Sequence, residues 1–171
     1  MSSQVKKITI SAFFLALGLV LPFAFHSFGP GAGAMFLPMH IPVLLCGFVC
    51  GSGYGALIGV LTPLVSSALT GMPVFMPTGI AMCFELMTYG FLSGLIVKRL
   101  PLYPSLIITM LAGRAVSGIV NLILLSMAGK AYTLEIFLTA AFVTALPGII
   151  LQLIIIPLLV KVIEMIEIHK E

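Results

Sequence analysis

Charged side chains are scarce in this chain, and their scarcity indicates its class. Only 8% of its 171 residues are charged and 61% are hydrophobic, and no polar stretch is long enough to form a separate soluble domain. Continuous apolar stretches of about twenty residues recur instead, and each can cross a hydrocarbon core of about 30 Å as a helix. The stretches do not alternate with period two, which argues against a β-barrel. The composition therefore predicts a single polytopic membrane domain over 1–171.

Other absences limit the chemistry that the chain can perform. It has no clustered basic face of the kind that binds nucleic acid. No His lies at metal-ligand spacing beside Cys46, Cys50 or Cys83, so we expect buried structural thiols, no metal and no cofactor. There is no phosphate-cradling Gly-Lys-Ser/Thr loop, so the chain cannot hydrolyse ATP alone.

Gly and Pro residues divide the apolar sequence into six predicted helices. We expect them at about 8–25, 38–51, 53–70, 77–97, 104–128 and 134–164. The first is long for a cleaved signal sequence, so we expect it to be retained. The connection from His26 to Leu37 is long and rich in Gly and Pro, which makes it a candidate lid over a binding site. The predicted fold is an all-α bundle of six transmembrane helices.

The distribution of cations predicts the orientation of this bundle. Six crossings put both termini on one side, and most cations collect there: Lys6, Lys7, Lys98, Arg99, Lys161 and Lys170. The opposite side has only Lys130. The positive-inside rule therefore predicts that both termini are cytoplasmic and that the candidate lid is extracytoplasmic.

Two charged residues, Glu85 and Arg114, fall deep inside the apolar stretches. A charge at mid-membrane costs roughly 2.5 to 3.5 kcal/mol, so it usually pairs or faces a polar cavity. At 1.5 Å per residue, Glu85 lies roughly 12 Å and Asn121 roughly 10 Å below the outer helix ends, with Arg114 about two turns deeper. His40 begins the second span, directly after the candidate lid. We predict that these four residues converge on one outward-facing substrate site.

Each of these residues also has a structural interpretation. Glu85 and Arg114 could form a salt bridge that only fixes helix packing. His40 could bond a backbone carbonyl or the membrane interface. Asn121 could hydrogen-bond a neighbouring helix, and this is the interpretation that we favour for Gln152.

Small residues recur four positions apart on three predicted helices. The pairs are Ala12 and Ala16, Gly55 and Gly59, and Gly90 and Gly94. Such spacing lets another helix approach closely, either within the bundle or on a partner subunit.

In order along the chain, these features resemble the substrate-binding S components of energy-coupling factor (ECF) vitamin transporters. The resemblance rests on the six-helix size, on Ala12-Phe-Phe-Leu-Ala16, on the Gly- and Pro-rich first outer loop, and on the run from Pro42 to Leu64. It covers nearly the whole length.

The resemblance implies a bundle in a bacterial plasma membrane that captures a vitamin or related micronutrient from outside. The bundle then docks on one transmembrane coupling subunit and two cytoplasmic ATPases, so it is not itself an enzyme. Ala12 and Ala16 would face the coupling subunit.

The type of ligand is suggested by the two buried charges. Folate-type relatives tend to carry Arg where this chain has Glu85, which argues against folate. Glu85 could accept a hydrogen bond from an amine or hydroxyl, and Arg114 could bind a carboxylate or phosphate. Pantothenate is the first candidate, and a pyridoxine-like, thiamine-precursor or queuosine-type ligand stays open.

Two rival functions are compatible with the same residues. A stand-alone secondary carrier or proton-coupled exporter would load a proton on Glu85, but the chain has no convincing internal repeat. A membrane enzyme would use Glu85 or His40 as acid or base, but no nucleophile or metal cluster stands beside them in the sequence.

Overall fold

The chain folds as a bundle of apolar helices. A computed structural model describes residues 3–26, 29 and 31–168, and this part of the chain contains α-helices and helical turns but no strand. Its α-helices are α1 Ser3–His26, α2 Ala32–Phe36, α3 His40–Cys50, α4 Ser52–Thr70, α5 Ile80–Ile96, α6 Leu102–Met127, α7 Leu134–Leu138 and α8 Leu146–Ile168. Six segments of this part are long and apolar enough to cross a membrane: Gln4–Phe25, Ala32–Cys50, Ser52–Thr70, Phe75–Ile96, Leu102–Met127 and Leu146–Ile163. The predicted six-helix fold class is confirmed.

The first five predicted spans match helices of the structure, but the sixth is wrong as a single helix. The segment predicted as 134–164 is divided into α7, a π-helical turn at Thr139–Thr144, and α8. Pro147 is the second residue of α8. Because it has no N–H and its ring would clash with the carbonyl of Val143, a straight α-helix cannot run through this point.

The candidate lid is also more ordered than predicted. Part of it forms α2, which ends where Leu37 takes a left-handed conformation, with φ of 52°. The backbone of α2 lies directly against Gly148 of α8, and the Phe36 ring packs on Phe25 with centroids 5.3 Å apart. Positions 27, 28 and 30 of the predicted lid, and position 170 of the predicted cytoplasmic cations, lie outside the described residues.

Glycines bring α3, α4 and α5 into direct backbone contact. A Cβ on Gly90 would overlap the backbone carbonyl of Gly55, and one on Gly59 would overlap that of Leu86. A Cβ on Gly94 would lie 2.6 Å from the carbonyl oxygen of Gly47 on α3. The glycine pairs of α4 and α5 therefore serve internal packing, which was one of the two interpretations of their spacing.

The other side of the bundle is packed more loosely. No residue of α7 is buried, and the π-helical turn buries only Ala141. Phe137 of α7 rests on Gly118 of α6.

Deeper in the bundle, Gln152 of α8 is fully buried, yet neither the nitrogen nor the oxygen of its side-chain amide has a hydrogen-bond partner among the described residues. The expected hydrogen bond from Gln152 to a neighbouring helix is thus absent from this part of the chain.

Candidate functional site

A cavity of about 530 Å³ opens at the end of the bundle opposite to the chain termini. Its wall combines the last turns of α1 and α4, the region from α2 to the start of α3, the connection before α5, one face of α5 and α6, and Ala140 of the π-helical turn. The volume falls in the range of about 300 to 1,000 Å³ that is usual for small-molecule sites. The bundle therefore has room for a vitamin-sized ligand.

Three polar residues meet in the wall of this cavity. Glu85 Oε1 lies 2.9 Å from Arg114 Nη1 and 3.3 Å from His40 Nε2. The exposed fractions of Glu85, His40 and Arg114 are 3%, 2% and 8%, so the interactions are almost fully shielded from water. One carboxylate oxygen thus joins α5 to both α3 and α6.

Tyr89 supports this trio from one turn deeper on α5. Its ring meets the imidazole of His40 edge-on, with centroids 5.4 Å apart and an interplanar angle of 63°. The same ring lies where a side chain at position 113 would be, so Gly113 gives it the space next to Arg114. A fully buried aromatic ring of this kind restricts how far the side chains around it can move.

Several polar atoms of the trio remain unpaired among the described residues. Arg114 uses Nη1 on Glu85, while its Nε and Nη2 have no hydrogen-bond partner. His40 Nδ1 also has none. Because His40 Nε2 faces a carboxylate, which only accepts, Nε2 carries the proton and Nδ1 of the neutral ring is an acceptor. Unpaired buried groups are costly, which suits a site that binds a ligand.

Asn121 borders the cavity but does not contact the trio directly. Its Nδ2 donates to the Ser117 carbonyl at 2.9 Å and lies 3.5 Å from the Ser117 hydroxyl, one turn earlier on α6. All four predicted site residues therefore belong to the wall of one cavity, and three of them contact one another. Their contact with a ligand stays a prediction.

Most of the remaining wall is apolar. Met39, Met72 and Met82 contribute flexible thioether side chains, and Pro22 and Phe23 close the side formed by α1. Methionine adapts its shape to a ligand more readily than branched side chains do. The cavity thus combines a charged inner wall with a soft hydrocarbon surface.

Two hydroxyls of the wall are already used to shape the connection after α4. Ser66 Oγ donates to the Met72 carbonyl at 2.7 Å, and Thr70 Oγ1 donates to the carbonyl of Ser66 at 2.8 Å. The Met72 N–H in turn donates to Thr70 Oγ1 at 3.1 Å. These bonds hold the backbone of residues 70–72 against the cavity.

Tyr89 and Ser117 were not among the residues predicted from the sequence. A signal for both was available, because Tyr89 follows Glu85 by four residues and Ser117 precedes Asn121 by four, which puts each pair on one helix face. The methionines of the wall carried no such signal, since an apolar residue in an apolar segment is unremarkable by composition.

The three cysteines and the predicted docking residues lie apart from this site. The described residues include no group of three or more His, Cys, Asp or Glu side chains that could hold a metal. Within this part of the chain Cys46, Cys50 and Cys83 are buried and form no disulfide. Ala12 and Ala16 are exposed on α1, while Phe14 between them is buried against the core.

Comparison with protein families identifies the group to which this bundle belongs. A family model described as the substrate-specific component of ECF transporters matches residues 6–160. The chain belongs to this family. Searches of the curated proteins and of the solved structures find no match.

As a substrate-specific component of an ECF transporter, the chain is a multi-pass membrane protein that takes part in substrate-specific uptake. This agrees with the predicted location in a bacterial plasma membrane. Membership in the family also associates the chain with the ECF module and with a small-molecule substrate.

Proposed function

We propose that this chain captures a vitamin-like molecule from the extracytoplasmic side in the cavity bordered by Glu85, Arg114 and His40. The observation that supports this most is a buried ion pair in the wall of a vitamin-sized cavity. Charged groups inside a membrane segment usually mark a substrate pathway, because their burial is costly without such a role.

The orientation follows from the cation distribution. With the termini in the cytoplasm, the cavity end of the bundle faces outward, and α2 lies over it as part of the lid. A ligand would then enter from outside and would be released only after the bundle has engaged its partners.

Pantothenate is the first ligand to test. Its carboxylate suits Arg114, its hydroxyls suit acceptors such as the Asn121 carbonyl oxygen, and its branched carbon body suits the methionine wall. The pyridoxine-like, thiamine-precursor and queuosine-type ligands are the alternatives in the same test.

Ligand identity is tested by purifying the full chain alone and identifying the small molecule released on denaturation. We expect retained ligand in the wild type and its loss in Arg114→Ala. The melting temperature of each purified protein, measured in parallel, shows whether the variant is still folded. If the retained molecule or a titrated vitamin binds equally well to the wild type, Arg114→Ala and Glu85→Ala, the trio is only a packing feature and the cavity assignment fails.

Docking on a coupling subunit and two ATPases is the second part of the proposal. Ala12 and Ala16 form an exposed, narrow face on α1 that a partner helix could approach closely. We expect Ala16→Phe to abolish uptake in cells that contain the module and to leave ligand binding intact.

The control is Leu57→Phe, which places the same aromatic side chain at an exposed apolar position of α4. It should leave both uptake and binding unchanged. Uptake that continues in Ala16→Phe would remove this face from the interface. Uptake by this chain without any ATPase module would instead support the stand-alone carrier.

A further inference from the structure

The charges of the cavity wall are balanced when no ligand is bound. Among the described residues that line the cavity, Glu85 is the one formal anion and Arg114 the one formal cation, and the two are in contact. His40 is the third ionisable residue of the wall and contacts the same oxygen of Glu85. With a neutral imidazole, the wall carries no net charge.

The unpaired side of Arg114 has the geometry of a carboxylate site. Nε and Nη2 lie on one edge of the guanidinium plane and form a fork that matches two carboxylate oxygens. Nη1, which is outside this fork, is the nitrogen bonded to Glu85. Both fork atoms are buried and have no partner among the described residues, so a ligand carboxylate would pair with them only after the Arg114 side chain had turned toward the cavity.

A carboxylate bound at this fork would disturb the charge balance. Two anions, the ligand and Glu85, would then face a single guanidinium in a mostly apolar cavity, and an unbalanced buried charge is strongly unfavourable. His40 is placed to restore the balance, because a proton added to Nδ1 gives an imidazolium whose Nε2–H already points at Glu85. Two ion pairs then replace one.

We propose that the ligand is a monocarboxylate and that it binds together with one proton, which is held by His40. This inference rests on the proposed function, because it assumes that the cavity is the ligand site. The proton comes from the solvent and adds to Nδ1 of His40, the ligand carboxylate pairs with Arg114, and the imidazolium pairs with Glu85. No bond in the ligand is made or broken.

Other ionisable groups do not compete with His40 for this role. Tyr89 faces the ring from α5, and Glu85 and Arg114 are the charged groups that meet it from α5 and α6. The helices α1, α4 and α8 also pack against α3, and their described ionisable side chains lie toward the opposite end of the bundle: Lys6, Lys7, Tyr54 and Lys161. The short helix α2 has none.

The proposal predicts which ligands the cavity rejects. A neutral amide or alcohol leaves the Arg114 fork without its charged partner, and a cation adds charge next to a guanidinium. A phosphate dianion would need two compensating protons, and only one imidazole is available in the described wall. We therefore expect binding to decrease from a monocarboxylate to its neutral counterpart.

The test is calorimetric titration of the full-length protein in lipid nanodiscs with matched pairs of probes. The pairs are pantothenate with panthenol and nicotinate with nicotinamide, together with the molecule released from the purified chain. Titrations in buffers of different ionisation enthalpy give the number of protons bound. For the tightest acid we expect about one proton taken up and an affinity that rises by up to about tenfold per pH unit as the pH falls from roughly 8 to 6.

Two variants assign the proton to its site. In His40→Gln, the side-chain amide still donates to Glu85 but cannot bind a proton, so we expect weaker binding with no proton uptake and no pH dependence over that range. Glu135→Gln is the control, because it removes an exposed carboxylate outside the cavity wall and should leave both quantities unchanged. If His40→Gln does not fold, the buffer series on the wild type still decides whether one proton is taken up, and His40→Asn is the second variant that assigns it.

Three outcomes would overturn the inference. Acid binding without proton uptake removes the proton from the mechanism, and proton uptake that persists in His40→Gln assigns it to another group. Preference for a neutral or cationic molecule, or binding of no acid in the panel, contradicts the ligand class while leaving ligand capture by this chain intact. If the proposed function itself is wrong, the result is distinguishable from these three, because the chain then retains and binds no small molecule at all.

Discussion

The two sides of the bundle differ in how their helices are held together. On one side, α3, α4 and α5 touch backbone to backbone through glycines, so these helices can hardly shift relative to one another. On the other, α7 buries no residue and the π-helical turn buries only Ala141. The cavity lies at the boundary between these two sides. A tightly packed wall and a loosely packed wall thus enclose one site.

The site residues are divided between the two sides. His40 and Glu85 lie on α3 and α5, within the glycine-packed side, whereas Arg114 and Asn121 lie on α6 and Ala140 lies on the π-helical turn. The contact between Glu85 and Arg114 therefore joins the glycine-packed helices to α6, the helix on which α7 rests. Substitutions on each side and at the contact itself test this difference.

The largest effect is expected from adding one methyl group on the tightly packed side. In Gly90→Ala the new Cβ would overlap backbone atoms of Gly55, which cannot move aside, so we expect a loss of stability on the order of 3 kcal/mol or no folded protein. The measurement is the melting temperature and the monodisperse yield of the purified chain.

The same substitution on the loosely packed side is the control for this prediction. In Gly118→Ala the new Cβ would lie 2.6 Å from the Phe137 ring, a side chain of the exposed helix α7 that can shift. We expect a change of less than about 1 kcal/mol. Equal effects of the two substitutions would contradict the contrast between the two sides.

The next largest effect concerns the link itself. Arg114→Ala leaves the buried Glu85 without its guanidinium, and we expect ligand affinity to fall by a factor of about 100 or more and stability to fall by about 3 kcal/mol. Ligand titration and thermal unfolding measure the two losses.

The double variant Arg114→Ala with Glu85→Ala separates these two losses. It removes both charges, so stability should recover toward the wild type while ligand affinity does not. Recovery of both would mean that the pair disrupts the bundle only when one member is missing and does not itself bind a ligand.

A smaller difference should be visible in the free protein by amide hydrogen exchange. Residues 134–144 have few buried side chains, whereas residues 60–70 of α4, at the same end of the bundle, pack on α5. We expect exchange in the first segment to be at least about tenfold faster than in the second. Equal protection would show that the π-helical turn is as firmly held as the glycine-packed helices.

The smallest effect is expected at Asn121. One N–H of its amide already donates to the Ser117 carbonyl within α6, which leaves the carbonyl oxygen and the second N–H as the groups that it can offer a ligand. We expect Asn121→Ala to weaken ligand binding by less than about tenfold, which corresponds to the loss of one neutral hydrogen bond. A loss as large as that of Arg114→Ala would make Asn121 a principal ligand contact.

Much of this fold could be predicted from the hydrophobic pattern, because a helix that crosses a membrane must be long and apolar. The same pattern concealed the break before Pro147, since the apolar run continues through α7, the π-helical turn and α8 without a polar interruption. The short helix inside the candidate lid was missed for a related reason. Five residues are too few for periodicity to distinguish α2 from a Gly-rich loop.

The site could be predicted in its members but not in its contacts. Glu85 and Arg114 were recognisable because charge is rare in such segments, and His40 because it follows the candidate lid. That one oxygen of Glu85 contacts both other residues depends on how α3, α5 and α6 are rotated, which spacing along the chain does not specify. The glycine pairs are a similar case. Their spacing predicts a close helix contact, but the sequence does not show which helix makes that contact.

The glycine contacts also restrict how this bundle can diverge during evolution. Positions 47, 55, 59, 90 and 94 cannot accept a side chain without separating the helices, so they are closed to variation. Side chains of the cavity wall that lie away from these contacts, among them those of α2 and of the connection before α5, can change without separating the helices. Descendants of this protein could exchange one nutrient for another by remodelling one half of the cavity while inheriting the other half intact.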